Sequence, residues 1–217
     1  MSQLIKTEAL VVHSLRWSES SKIVHLFTAE QGYLKVIAKG ALRPKSPFRG
    51  VLEPLNHVEV IIAERSTRKL QILTGATLLN AFLHIREDLK KTAIGFAVLE
   101  ALQQLFSVHE PVEPFFAYII ELLTALEGAT EERVQPYLWH FLLHTSETLG
   151  FGWSLDTCLR CGKPPAQFPL QLDSRNGGVV CGSCAGAPLP NGGRISRSQW
   201  KALQQLLRLP PDRLPQG

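Results

Sequence analysis

Lys22-Ile23-Val24-His25-Leu26-Phe27-Thr28, Tyr33-Leu34-Lys35-Val36-Ile37-Ala38 and the run Lys39-Gly40-Ala41-Leu42-Arg43-Pro44-Lys45-Ser46-Pro47-Phe48-Arg49-Gly50 decide how this chain of 217 residues is read. The first two segments are rich in Val, Ile and Leu, as strands are, and Gly32, Gly40, Pro44 and Gly50 break the chain where strands must end. Working outward, Thr7 to Leu15, Asn56 to Glu64 and Lys69 to Leu79 have the same character, with Pro54 as a further break. Five short strands inside residues 1–80 predict a five-stranded Greek-key barrel, the OB-fold; an SH3-like barrel would leave a similar trace. Val58, Val60 and Ile62 alternate cleanly, whereas Leu10-Val11-Val12 does not, so both faces of the first strand are expected to be covered.

The third segment carries the chemistry. Lys35, Lys39, Arg43, Lys45 and Arg49 place five positive charges in a stretch without a single acid. A merely soluble loop mixes signs. Gly and Pro keep this one open, Ser46 adds a hydroxyl that can meet a phosphate, and an OB barrel binds single strands beside such a loop. Lys35, Lys39, Arg43, Lys45 and Arg49, joined by Arg16 and Lys22, are therefore the candidate DNA-binding residues. Trp17 and Phe48 are either stacking platforms for bases or core residues, and Phe27 and Tyr33 are expected to be buried in the barrel.

Charge is segregated along the chain. Residues 1–80 hold eleven Lys/Arg against six Asp/Glu, residues 81–150 four against ten, and residues 151–217 eight against three, giving +5, −6 and +5. The total of +4 is modest, but concentrated positive potential suits a surface that docks a charged polymer. Apolar runs are short and interrupted by Glu59 and Glu121, so no membrane span is expected. The N-terminus lacks the apolar stretch of a secretion signal, which points to the cytoplasm.

From about Glu87 the apolar period changes to three and four, through Leu89, Ala93, Phe96, Leu102 and Leu105, as an amphipathic helix requires. A second helix is expected after Pro111 and Pro114, ending at Gly128, and a third from Thr130, as its cap, to Leu149. Ser196 to Leu209 reads as a last helix, capped by Ser196, whose stripe of Trp200, Leu203, Leu206 and Leu207 needs a partner. The resulting division is multi-domain α+β: a barrel over 1–80, a helical bundle over 81–150, a cysteine insertion over 151–192, and a helix and tail over 193–217 that return to the bundle.

All four cysteines fall in two Cys-x-x-Cys pairs, Cys158/Cys161 and Cys181/Cys184, separated by nineteen residues. This spacing predicts one tetrahedral, four-thiolate Zn²⁺ site, closed to water and therefore structural, with Gly162 allowing a positive-φ bend around the metal. Disulfides would need an oxidising compartment. A thioredoxin-like pair would sit between strand and helix, but Gly162, Pro164 and Pro165 follow the first pair. A nucleobase-deaminase zinc would use His57-Val58-Glu59, yet neither Cys158 nor Cys181 follows proline and His57 lies in a strand pattern. His140 and His144 sit one helical turn apart, but Phe141 stands where a metalloprotease needs its glutamate, so they read as structural. Nothing in the sequence argues for catalysis; a protein-only adaptor and a zinc enzyme acting on nucleic acid remain the alternatives to a DNA-binding protein.

The stretch Glu19-Ser20-Ser21-Lys22 through Leu26-Phe27-Thr28, with Gly32, Lys39-Gly40-Ala41 and Arg43-Pro44-Lys45-Ser46, resembles the N-terminal domain of the bacterial RecO family of recombination mediators. The helical middle and late Cys-x-x-Cys pairs are similar too. The resemblance implies an N-terminal OB-fold, a central helical domain and a zinc-finger-like insertion. It also implies a non-enzymatic role in DNA repair: binding single- and double-stranded DNA, annealing strands, and working with RecR so that RecA displaces single-strand-binding protein. A bacterial, nucleoid-associated location goes with that role.

Overall fold

The computed structural model describes residues 3–65, 67–68, 70–106, 112–186 and 192–214. They form two compact units, Met1–Glu131 and Glu132–Gly217.

In the first unit, β1 (Gln3–Arg16), β2 (Lys22–Thr28), β3 (Gly32–Ala38), β4 (His57–Glu64) and β5 (Gln71–Asn80) close into a barrel in the order β1-β2-β3-β5-β4. β1 closes it by serving two partners: its first half, Gln3 to Leu10, pairs with β4, and Ala9 to Arg16 pairs with β2. A register shift between Val11 and His13 lets the strand bend between the two. β3 and β5 run parallel, with Val36 opposite Gln71. This Greek-key order with one parallel pair is the OB arrangement.

Ala9, Val11, Val24, Leu26, Leu34, Val36, Val58, Val60, Ile62 and Leu73 fill the barrel. Leu10, between two of them, is also fully buried, and α2 (Leu89–Leu105) packs on β1 from outside, which explains the unbroken apolar run. α3 (Glu113–Gly128) packs on β2, where the Phe27 ring meets Phe106, Phe115 and Phe116 with centroids 5.3, 6.4 and 6.1 Å away. Phe27 is thus buried beneath helices rather than inside the barrel. Asp88 caps α2 by accepting the Lys91 N–H at 2.9 Å, and the buried Lys91 ammonium donates to the Glu127 carbonyl at 2.8 Å, at the C-terminal end of α3 where a cation suits the helix dipole. A short α1 (Leu83–Glu87) joins barrel to helices.

In the second unit, α4 (Gln135–Thr148) is followed by β6 (Ser154–Cys158), β7 (Leu170–Asp173), β8 (Gly178–Val180), β9 (Arg194–Ile195) and α5 (Arg197–Arg208). The strands form a sheet in the order β6-β8-β7-β9. Leu155, Leu170, Val179 and Ile195 on the sheet bury against Trp200, Leu203 and Leu207 of α5. Ser196 caps α5 in a reciprocal capping box with Gln199.

Two sequence expectations change here. The helix expected from Thr130 starts at Gln135, because Pro136 is suited to the first helical turn; Glu131–Arg133 form only a 3-10 turn and Thr130 caps nothing. The segment 81–150 does not stay together: α1–α3 bury their apolar faces with the barrel, whereas α4 belongs to the unit of the cysteine segment and packs with α5.

Candidate nucleic-acid interface and metal centre

Residues 39–56 connect β3 to β4 without helix or strand, yet they are anchored. Ala41, Phe48 and Leu52 enter the barrel core, and burying a Phe or Leu contributes roughly 1.5–3 kcal/mol each. Phe48 is only 7% exposed, so it is a plug and not a stacking platform. The buried Asn56 amide donates to the carbonyls of Gly50 and Val51, both at 2.9 Å, and accepts from Arg86 at 2.9 Å. Gly40 and Gly50 take the positive φ values of 73° and 74° that the turns require. Leu42 N–H donates to the Ser20 carbonyl at 3.0 Å, which ties the β1–β2 turn to this segment.

On this frame Lys39, Arg43, Lys45 and Arg49 are exposed, as is Lys35 in the middle of β3. Among the described residues none of these five cations, nor the exposed Arg16, takes part in an ion pair. Lys22 differs: its ammonium lies 2.9 Å from a Glu53 carboxylate oxygen and its side chain is only 19% exposed. Lys22, Arg43, Arg49, Pro44, Phe48 and Glu53 line a cleft of about 440 Å³. Ser46 Oγ accepts the Phe48 N–H at 3.3 Å and shapes the turn. Trp17, beside Arg16 on the tied turn, is 63% exposed and can offer its ring to a base.

On the outer barrel face β2 places His25 opposite Lys35, and His25 Nδ1 lies 2.7 Å from the Tyr33 hydroxyl. Burial, then the Lys35 and His13 charges, hold His25 below the ordinary imidazole value, so the positive charge of this row sits on Lys35. His57 of β4 pairs with Glu8 of β1 at 2.8 Å, which takes it out of any zinc-deaminase arrangement.

The four cysteines converge. All four sulfur atoms lie within 4.8 Å of one another, and none is in a disulfide. The sheet explains the convergence: β6 and β8 are parallel neighbours with Cys158 opposite Val179, so Cys158 at the end of β6 and Cys181 just after β8 leave the sheet side by side. Each Cys-x-x-Cys then turns on itself. Gly162, at φ 71°, donates to the Cys158 carbonyl at 2.8 Å, and Cys184 N–H donates to the Cys181 carbonyl at 3.0 Å. The Arg160 guanidinium joins the two knuckles through the Cys184 carbonyl at 2.6 Å.

Burial pushes the Cys158 thiol up, but the amides of Cys181, Cys161 and Arg160 outweigh it and bring it down to about 6. Hydrogen bonding to Cys161, then burial, pushes Cys184 up to about 11. Four sulfurs this close cannot all carry negative charge unaided, and a divalent cation among them removes that penalty. The donor set fits a thiophilic metal with no position left for water.

His140 and His144 take no part in that cluster. The His140 ring is fully buried, its Nε2–H donates to the Leu209 carbonyl at 2.9 Å, and it stacks on His144 at 4.2 Å. Burial lowers its pKa to about 4, with His144 adding to the effect and the Leu209 bond opposing it. Between that value and 6.5 the unfolded chain binds the extra proton, so stability is fully present above the window and falls as pH drops through it, by up to about 3 kcal/mol. Urea unfolding of the wild type and of His140→Gln, followed across that window, checks this; a wild-type curve that stays flat would refute it.

A family model described as Recombination protein O N terminal matches residues 1–82, and one described as Recombination protein O C terminal matches residues 86–216. Among curated proteins, the chain is similar to "DNA repair protein RecO" of Anaeromyxobacter dehalogenans (strain 2CP-C), at 31% identity over 181 residues, covering 83% of this chain and 70% of that one. It is similar to the protein of the same name from Myxococcus xanthus, at 33% identity over 177 residues with coverages of 82% and 71%. The protein of that name from Salinibacter ruber is 34% identical over 154 residues, with coverages of 70% and 58%.

Proposed function

Because this chain belongs to the recombination protein O family, we propose that it is a DNA-binding mediator of recombinational repair, holding DNA on the barrel and presenting its other surfaces to protein partners. The observation that carries this reading is the anchored segment 39–56, which displays Lys39, Arg43, Lys45 and Arg49 without carboxylate partners among the described residues and is tied to the Arg16–Trp17 turn through Ser20. Such a surface meets phosphates electrostatically and bases by stacking, without reading sequence. It suits single strands first and double strands through the same phosphates. Strand annealing, and loading of RecA with RecR onto strands coated by single-strand-binding protein, follow as the work of a protein that grips DNA without chemistry. We assign the chain no catalytic residue.

Zn²⁺ is the metal we propose for the four cysteines, since an all-sulfur tetrahedral set suits it and closes the site to substrate. Among the described residues no helix is long and apolar enough to cross a membrane; a cytoplasmic, nucleoid-associated place is part of the proposal.

Fluorescence anisotropy with a labelled single-stranded oligonucleotide at several salt concentrations tests the reading. About four neutralised phosphates on a single strand predict a log–log salt slope near −3. No binding at low salt would leave a protein-only adaptor instead.

A further inference from the structure

We propose that the cleft under the basic segment is a seat for one nucleic-acid phosphate and that the Glu53 carboxylate occupies it until DNA arrives. The proposal rests on the DNA-binding reading above and names a contact within it. Lys22 starts β2, paired with Arg16 on one side and Ala38 on the other, so its stem is fixed at the rim of the barrel. Its ammonium lies 2.9 Å from the Glu53 carboxylate, and its side chain is only 19% exposed. A phosphate that meets Lys22 in this cleft competes with that carboxylate. Glu53 can yield: its side chain is about half exposed, and its backbone stays in the turn through the Asn56 N–H bond to the Glu53 carbonyl at 3.1 Å.

The charges favour the exchange. Arg43 and Arg49 line the same cleft with no carboxylate of their own among the described residues, so Glu53 offsets one of three cations there. A phosphodiester arriving with its neighbours on the strand meets all three, two of them arginines whose planar forks suit its oxygens. With Glu53 about half exposed, the Lys22–Glu53 pair lies at the surface and is individually weak, so the exchange costs little.

The test is a double-mutant cycle on the full chain, read by anisotropy with a single-stranded oligothymidylate longer than the roughly 16 nucleotides an OB fold covers. Glu53→Gln is expected to tighten binding about five-fold at low salt and to steepen the salt slope by about 0.7, because no carboxylate then has to be displaced from Lys22 and neutralised by a counterion. Lys22→Ala should weaken binding in the wild-type background, where the contact is made against the competing carboxylate, and in the Glu53→Gln background it should abolish the whole gain. Equal affinity and slope in wild type and Glu53→Gln would overturn the proposal, and so would a gain that persists without Lys22. The Arg43→Glu/Lys45→Glu variant run alongside separates the two levels: if it loses binding while Glu53→Gln gains none, the DNA surface stands and the seat does not; if it too binds normally, the surface itself is wrong.

Discussion

Replacing Cys158 with Ser is expected to abolish binding of the metal proposed for the four cysteines and to open residues 154–186 to protease while the barrel unit stays folded. Cys158 is the most consequential of the four ligands because it is buried and its sulfur accepts two backbone N–H bonds, from Arg160 at 3.4 Å and Cys181 at 3.3 Å. Losing a ligand together with that network should exceed the 10–100-fold cost of losing an outer-shell partner alone. Little apolar packing stands behind the site: Val180 is the one buried aliphatic residue of the cysteine cluster, whereas Leu155, Leu170, Val179 and Ile195 form a separate core against α5. Binding of roughly 10–16 kcal/mol in isolated zinc peptides shows how much order a metal supplies when packing is this thin. Metal content, the thiolate bands of the cobalt-substituted protein and limited proteolysis check it. Cys161→Ser, at an exposed ligand, should be milder. A Cys158→Ser chain that keeps one metal and full protease resistance would sink the idea.

The second large effect is expected from reversing charge at Arg43 and Lys45. Two phosphate contacts should vanish, bringing the salt slope from near −3 to about −1.4, and two new carboxylates repel the strand, so affinity at low salt should fall on the order of 100-fold. The loss should be the same for every oligonucleotide sequence, since these side chains meet phosphates and not base edges. The melting temperature should hold, because both side chains are exposed and the segment is anchored elsewhere, by Phe48, Leu52 and Asn56. Retained affinity with an unchanged slope would remove the basic segment from the DNA path.

The parts that could be read from sequence are those whose signal is local. β2 begins and ends where Lys22 and Thr28 predict, and α5 starts at Ser196 because the cap and its Gln199 partner lie within one turn. The cysteine spacing foretold the cluster, since a Cys-x-x-Cys turn holds two sulfurs together whatever surrounds it. What stayed hidden depends on contacts distant in sequence. Phe48 sits in a run of cations and prolines, and only the barrel's open end makes it a plug. Lys22 and Glu53 are 31 residues apart, so their pairing could not be seen in a charge count. Of the sheet of β6 to β9 only Val179-Val180 in β8 reads as a short strand, because the strands are two to five residues long and one of the pairings is parallel, which no short turn announces.

That parallel pairing has a consequence for how the C-terminal unit assembles. β6 and β8 cannot be joined by a hairpin, and the chain must wander from Cys161 to Cys181 before they meet. Closing such an excursion by chance is slow and entropically unfavourable, and a cation that collects sulfurs from both ends shortens the search. A metal held by the four cysteines would therefore act as a tether in folding as much as a brace in the finished molecule, and the order in which that metal and the nascent chain meet should govern how fast this half matures.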